Sequence, residues 1–480
     1  MSPSQRADSA CPAWYESAVN PRVFREYDIR GVADRDLDDA MVTALGVAIG
    51  KRAEGTVVVG RDPRVTSPRL FAALTDGIRA HADVIDIGVI PTPLLYFAAH
   101  LLEPAAAVMI TGSHNPPEDN GFKLMKGTET LHGEAIASLR DHVAAILADP
   151  LPREKLALKA MRSREVISAY LDHADARLKL GPRRPKVVID AGNGAGGPTA
   201  NMLYRRLGFD VVPLYCDLDG KFPNHHPDPT QPENIAELIA TVKREDAELG
   251  IAFDGDADRI GAVDATGRVL WGDQLMILFG TAILAEVRPI GSSAPRAKFV
   301  GEVKCSQAMF DRLTAEGGEV EMWKVGHSLI KARMKETGAL LAGEMSGHIF
   351  FAHRWFGFDD AIYAGARLLE LLSRSKLTLA ELADQLPKMI NTPEIRVDCP
   401  DDRKTAIVAD VTARLRRDPG VTSVVDIDGV RARFEGGWGL VRASNTQPAL
   451  VLRAEADTEA RLAKIRATLE DAIAAARLTV

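Results

Sequence analysis

Three observations predict an α/β protein of several domains that ends in an α+β domain. Apolar, β-branched runs alternate with helical patterns along residues 21–388, the order that builds parallel sheets covered by helices. The chain has 480 residues, and at about 100 to 200 residues per domain that length requires three or four hydrophobic cores. Over residues 389–480 the pattern changes to short strands broken by turns, with one helix before them and another at the end. That predicts an antiparallel sheet flanked by helices.

Residues 1–20 (MSPSQRADSACPAWYESAVN) are polar, lack the apolar core of a signal peptide, and form an extension expected to be disordered. Domain I (21–160) carries the strand TVVVG at 56–60, the helix SPRLFAALTDGIRAH at 67–81, and the strands DVIDIG at 83–88 and AAAVMI at 105–110. In domain II (161–272) the strands are KVVID at 186–190, DVVPLY at 210–215 and LGIAFD at 249–254. Domain III (273–388) opens with an apolar stretch, 275–285, too short to span a bilayer and read as a buried helix. It continues with KFVGEV at 298–303, a helix after Cys305, and ALLAGE at 339–344. Domain IV (389–480) holds the strands EIRVDCP, SVVDIDG, VRARFE, GLVRAS and ALVLRAE. The boundaries fall at DPLPREKLALK (149–159), a turn near Gly272, and PKMINTP (387–393); no internal repeat is evident.

Composition narrows the function. The chain is 46% hydrophobic and 26% charged with a net charge of −7, which argues against nucleic acid as a partner. An anionic ligand would need a local cluster of basic groups. Cys11, Cys216, Cys305 and Cys399 are scattered and form no CxxC pair, which fits a reducing cytoplasm and offers no thiolate metal site. Nothing points to a membrane.

Four motifs carry chemistry. TGSHNPPEDNGFK (111–123) follows an apolar strand, so Ser113 stands at the edge of a parallel sheet where ligands bind. Its hydroxyl is a candidate nucleophile, with His114 beside it and Lys123 ten residues on. The plainer reading is a βα turn with Ser113 as a helix cap. Thr111 replaces the first glycine of an esterase elbow, which argues against a conventional acyl hydrolase. In DGDADR (254–259) the alternation of Asp254, Asp256 and Asp258 would put three carboxylates on one side of an extended segment. Their repulsion invites a cation, and oxygen-only ligands suit Mg²⁺. Arg259 and Ala265 stand where a calcium EF-hand loop requires Gly and Glu.

GEMSGH (343–348) offers Glu344 and Ser346 on one face if extended, and the carboxylate can accept from two sugar hydroxyls. RASNTQP (442–448) lies between two strands, where Arg442 supplies a bidentate fork and Ser444, Asn445 and Thr446 supply further donors for a phosphate. Each of these two motifs, taken alone, is equally a turn. Arg30, Lys304 and His327 are supporting basic positions, and the adjacent histidines of FPNHHPDPTQPEN (222–234) read as loop residues. AGNGAGG (191–197) matches a dinucleotide fingerprint at Gly192, Gly194 and Gly197, which keeps a nicotinamide enzyme as a rival reading.

In this order and setting the four motifs resemble those of the α-D-phosphohexomutase family, most closely its phosphomannomutase/phosphoglucomutase branch. The resemblance runs from about Phe24 to the last helix. It implies four domains around a central active-site cleft, and reversible transfer of phosphate between C6 and C1 of a hexose through a hexose 1,6-bisphosphate intermediate, which also acts as activator. It further implies that Ser113 is the phosphorylated serine, and that Asp254, Asp256 and Asp258 hold Mg²⁺ with a phosphoserine oxygen of Ser113 as a further ligand. Glu344 and Ser346 would read the sugar; Arg442, Ser444, Asn445 and Thr446 would grip the distal phosphate; Arg30, His114, Lys123, Arg259, Lys304, His327 and His348 would line the cleft. Either Lys123 or His348 takes the proton of the attacking hydroxyl. Met345 points to glucose and mannose phosphates, with glucosamine phosphate the alternative. The implied partners are small phosphosugars, and a cytoplasmic monomer is expected, with a dimer as the alternative.

Overall fold

The computed structural model describes residues 20–149, 157–287, 295–444 and 448–479. The N-terminal extension through residue 19, part of the boundary stretch 149–159, and Asn445 and Thr446 of the fourth motif lie outside the described residues.

Four sheets follow one another along the chain. In the first, Ala106–Ile110, Val57–Arg61 and Val84–Val89 run parallel, Met161–Ser163 extends one edge, and the antiparallel strands Asp119–Lys126 and Ile29–Val32 form the other. In the second, Leu249–Phe253 and Val211–Leu214 flank Val187–Asp190 in parallel, and Ile260–Asp264 and Val269–Leu270 add antiparallel strands. In the third, Glu319–Trp323, Lys298–Glu302 and Leu341–Gly343 run parallel, with Ile349–Phe351 antiparallel. The fourth is antiparallel throughout. Central strands such as Val187–Asp190 are buried along their whole length, and so read as continuous apolar runs.

The same hairpin recurs in each sheet. Ala106–Ile110 turns back into Asp119–Lys126, Leu249–Phe253 into Ile260–Asp264, Leu341–Gly343 into Ile349–Phe351, and Gly437–Ala443 into Ala449–Ala456. The four loops so formed are the four sequence motifs. The plainer reading of Ser113 as a helix cap therefore falls, because the chain leaves that loop as a strand.

One large core joins the first three sheets through the helices Thr92–Leu102 and Ala361–Arg374. The second is buried over nearly all its surface, and the Tyr204 hydroxyl donates to its Ile362 carbonyl at 2.9 Å. The expected buried helix at 275–285 is Gly272–Val287. The fourth sheet has its own core, under the helices Asp401–Leu415 and Glu459–Thr479. The sequence reading did not resolve Asp401–Leu415, which falls between the first two strands expected there. Its narrow buried stripe, Ile407, Val411 and Leu415, is spaced by four residues in a segment that opens with five polar side chains.

Candidate active site

The Ser113 loop is built around a buried arginine. Arg64, 1% exposed, donates to the carbonyls of Ser113 at 2.8 Å, Asn115 at 2.7 Å, Pro116 at 2.5 Å and Asp119 at 2.9 Å. Asp62 pairs with that guanidinium at 3.2 Å and accepts from the Gly112 amide at 3.2 Å. Ser113 itself has φ +49°, a left-handed conformation uncommon without glycine. The Arg64 bond to its carbonyl and a bond from its amide to the Thr111 hydroxyl at 2.9 Å hold it there. Its Oγ donates to Asp254 Oδ2 at 2.8 Å and lies 3.1 Å from His114 Nδ1.

The aspartates converge, but by a different device from the one their alternation suggests. The segment is a turn, not an extended strand: Ala257 has φ +56°, and the amides of Asp258 and Arg259 fold back onto Asp254 Oδ1 at 3.0 and 3.1 Å. One carboxylate oxygen from each of Asp254, Asp256 and Asp258 falls within 4.8 Å of the others, and all three residues are fully buried. Burial, and then the negative Asp258 and Asp256, push the Asp254 carboxyl well above its ordinary range. Burial opposes ionisation of Asp258 too, but Lys123 and His348 outweigh it and hold that carboxyl down. Lys123 reaches Asp256 at 2.9 Å and pairs with Asp258, while the Thr92 hydroxyl donates to Asp256 at 2.5 Å. Asp256 Oδ1 and Asp258 Oδ1 remain buried without a hydrogen-bond partner. An all-oxygen, multiply anionic donor set with free lone pairs fits a hard divalent cation.

The third sheet contributes the opposite wall. Arg259 Nε donates to His348 Nε2 at 2.9 Å, which leaves the ring proton on Nδ1, 3.1 Å from Asp359. Lys331 donates to the other Asp359 oxygen at 3.0 Å. His327 is held neutral, its pKa pushed well below normal by burial and then by Lys331. Glu344 and Ser346 stand in a turn, not an extended run. The Glu344 carboxylate accepts from the Gly326 amide at 2.9 Å and the Ser346 hydroxyl at 3.1 Å. On the fourth sheet Arg442 pairs with Asp428 at 3.1 Å, and Ser444 is buried beside it. Lys304 lies 3.4 Å from Glu394; burial opposes ionisation there, yet Lys304 and Arg396 hold the Glu394 carboxyl down to about 2. Arg30 pairs with Asp28 at 2.5 Å and donates to Asn115 at 3.0 Å.

Arg30, Ser113, His114, Lys123, Arg259, Lys304, His327, Glu344, Ser346, His348, Arg442 and Ser444 line one cleft of about 1050 Å³, and the buried aspartates reach it through Ser113 and Lys123. The structure thus brings together every described residue that the sequence singled out. The rival dinucleotide loop has a different job. A Cβ at Gly194, the glycine that would face a pyrophosphate, would lie 2.7 Å from the Gly255 carbonyl, so the aspartate loop fills that space, while Gly197 lets its helix pack 2.4 Å from the Cys216 carbonyl. His225 and His226 do not share an ion: His225 faces Asp190 at 3.0 Å and His226 donates to the His114 carbonyl at 2.5 Å.

Sequence reasoning passes over Asp62, Arg64, Thr92, Lys331 and Asp359. A usable signal exists for some of them: RDPR at 61–64 follows a wholly apolar strand, and FDDA at 358–361 places two acids between apolar runs.

Models of the phosphoglucomutase/phosphomannomutase family match the whole arrangement: alpha/beta/alpha domain I over residues 21–148, domain II over 168–267, domain III over 271–390, and the C-terminal domain over 394–472. A phosphomannomutase/phosphoglucomutase of Pseudomonas aeruginosa is 45% identical over 463 residues, covering 94% of this chain and 96% of that protein. A phosphoglucomutase of Neisseria gonorrhoeae is 44% identical over 457 residues, covering 94% and 96%. The crystal structure of a phosphoglucomutase/phosphomannomutase family protein from Burkholderia thailandensis aligns with a TM-score of 0.85 at 40% identity, over 96% of this chain and 98% of that one. The chain belongs to the phosphoglucomutase/phosphomannomutase family.

Proposed function

We propose that the protein is a phosphomannomutase/phosphoglucomutase, an intramolecular phosphotransferase that interconverts hexose 6-phosphates and hexose 1-phosphates. The observation that carries this reading is the Ser113 hydroxyl, 2.8 Å from Asp254 at the floor of a cleft that Glu344 and Arg442 face from other domains. Phosphorylated Ser113 gives its phosphoryl group to O1 or O6 of a bound monophosphate: the serine P–O bond breaks, a sugar P–O bond forms, the sugar hydroxyl proton passes to His348, and the freed Ser113 oxygen takes up a proton to become a hydroxyl. The resulting 1,6-bisphosphate turns end for end, and Ser113 takes back the other phosphate.

Asp254, Asp256 and Asp258 would hold Mg²⁺, which neutralises phosphoryl charge when bound. Lys123, kept charged by Asp256 and Asp258 although burial opposes it, serves with Arg259 and Arg30 to neutralise the same group. His348, whose Nε2 is the accepting nitrogen, is assigned the proton, and His114 flanks Ser113. Glu344 and Ser346 read the sugar hydroxyls, which look alike from either end of the bisphosphate. Lys304, His327, Arg442 and Ser444, with Asn445 and Thr446, bind the distal phosphate. Free Cys216, Cys305 and Cys399 support a cytoplasmic location, and we take the protein to act as a monomer. No helix among the described residues is long and apolar enough to cross a membrane.

The test is ³¹P NMR with Mg²⁺, a trace of glucose 1,6-bisphosphate, and either glucose 1-phosphate or mannose 1-phosphate. Conversion of both to the 6-phosphates is expected. Conversion only of glucosamine phosphate would reassign the substrate, and conversion of none would overturn the reading. Ser113→Ala should abolish turnover while leaving the circular dichroism spectrum unchanged; near-normal activity would refute the nucleophile.

A further inference from the structure

Lys304 belongs to the loop joining the strand Lys298–Glu302 to the helix Gln307–Ala315, and charged side chains hold that loop's backbone. Two come from the third domain: Glu302 accepts from the Lys304 amide at 2.5 Å, and Asp273 from the Ser306 amide at 2.8 Å. Three come from the fourth sheet. Arg431 donates to the carbonyls of Val303 and Cys305 at 2.5 and 2.8 Å, and Arg453 to that of Lys304 at 2.8 Å. Glu455 accepts from the Ser306 hydroxyl at 2.9 Å and the Gln307 amide at 3.2 Å. Trp438 ties the three together: the Arg431 guanidinium lies 3.6 Å from its ring centre, that of Arg453 5.8 Å, and its indole N–H donates to Glu455 at 2.8 Å.

Arg431, Arg453 and Glu455 are buried to 1, 3 and 1% exposure. Burying three charges at a contact between domains costs stability that an apolar contact would not. Such charges specify geometry, and here all of them bond to one loop, whose Lys304 lines the cleft; Arg453 lines it too, whereas Arg431 and Glu455 do not. Arg442 lies on Gly437–Ala443, the strand that carries Trp438, and Arg453 and Glu455 lie on its neighbour Ala449–Ala456. The fourth sheet therefore holds Arg442 directly and the Lys304 loop, with Gln307 at its end, through six hydrogen bonds.

We propose that Arg431, Arg453 and Glu455 are positioning residues for Lys304, so that Lys304 and Arg442 move as one unit whenever the fourth domain shifts. Lys304 would then follow the domain that grips the distal phosphate, although its sequence places it in another. The proposal rests on the mutase reading for the role of Lys304 in binding.

A double-mutant cycle tests it. Arg453→Gln should raise KM about tenfold with a smaller effect on kcat, and the same substitution should add nothing once Lys304→Ala is present. An equal fold-loss in both backgrounds, or no loss in the parent enzyme, overturns the proposal. A merely structural role would lower Tm in both backgrounds without this kinetic coupling. Should Arg453→Gln fail to fold, Glu455→Gln takes its place in the cycle. Hydrogen exchange in the full-length protein reads the same contact without turnover: Ser306 and Gln307 amides should exchange faster in Glu455→Gln, and unchanged protection overturns the proposal. Absence of turnover in the parent enzyme would instead refute the mutase reading and leave the exchange result standing.

Discussion

At the scale of single residues, the site concentrates conformations and charges that would be unfavourable elsewhere. Ser113 and Ala257 both have positive φ without being glycine, and they lie on the two loops that meet at the Ser113–Asp254 bond. Strain of this kind persists only where surrounding contacts over-determine it, and Arg64 supplies those contacts for Ser113. Arg64→Ala strands four carbonyls and leaves Asp62 buried without its counter-charge. A loss of about 3–5 kcal/mol is expected, read by denaturant titration. Arg64→Lys should not restore it, since one ammonium cannot serve four carbonyls that face a planar fork. Asp256→Asn removes one of three converging charges and should raise the Mg²⁺ concentration for half-maximal activity by about tenfold or more. An unchanged metal dependence, or full activity after chelation, would count against the aspartate site.

At the scale of elements, the recurring hairpin explains how four domains serve one reaction. A strand that reverses beside itself delivers a short loop at the end of its sheet, and described residues of all four loops, Ser113, Arg259, Glu344 and Ser444 among them, line the same cleft. The first two loops touch backbone to backbone. A Cβ at Gly255 would lie 2.4 Å from the Ser113 carbonyl, a contact that no rotamer relieves. Gly255→Ala should therefore spread the loops and lower kcat by about 100-fold, the usual result of a misplacement near 1 Å. The change in Tm should be modest, because Ala257 is the one residue of that loop packed into the main core. Wild-type kcat in this variant would show that the close approach is not needed.

At the scale of the whole molecule, stability depends on polar groups inside the shared core. Asp360 precedes the helix Ala361–Arg374, caps it by accepting from the Tyr363 amide at 2.8 Å, and accepts from the Tyr170 hydroxyl at 2.9 Å and the Trp355 indole at 3.2 Å. Burial outweighs these donors, and with neighbouring Asp359 pushes its carboxyl up to about 7. An unfolded aspartate titrates near 3.9. Between about pH 4 and pH 7 the native state thus keeps a proton that the unfolded chain has lost, and stability falls as pH rises through this window. The cost is complete above about pH 7 and amounts to about 4 kcal/mol at most. Asp360→Asn does not titrate, so its Tm should gain on that of the wild type between pH 5 and pH 8. A constant difference would show that Asp360 is ionised throughout.

The residues of the site and the strands that carry them were legible in the sequence because both are local. Apolar runs such as 106–110 and 249–253 mark buried strands, and the polar loop after each is confined to a sheet edge. Taken singly, the serine, glutamate and arginine loops read equally as turns; their order along the chain, through the resemblance to the phosphohexomutase family, implied phosphate and sugar, and the three aspartates pointed to a metal on their own. What packing alone decided is how these groups meet. Alternation suggested an extended row for Asp254, Asp256 and Asp258, whereas a turn around Asp254 Oδ1 gathers them. The partners of Ser113, Lys123 and Tyr170 lie 141, 135 and 190 residues away, and the arginines that hold Lys304 lie 128 and 149 residues from their acceptors. Periodicity reports only which face of an element is apolar. The charges that fill the remaining interior are offset by contacts between segments far apart in sequence, within one domain for Arg64 and Asp359 and between the third and fourth domains for Arg431 and Arg453, so tertiary structure alone assigns them.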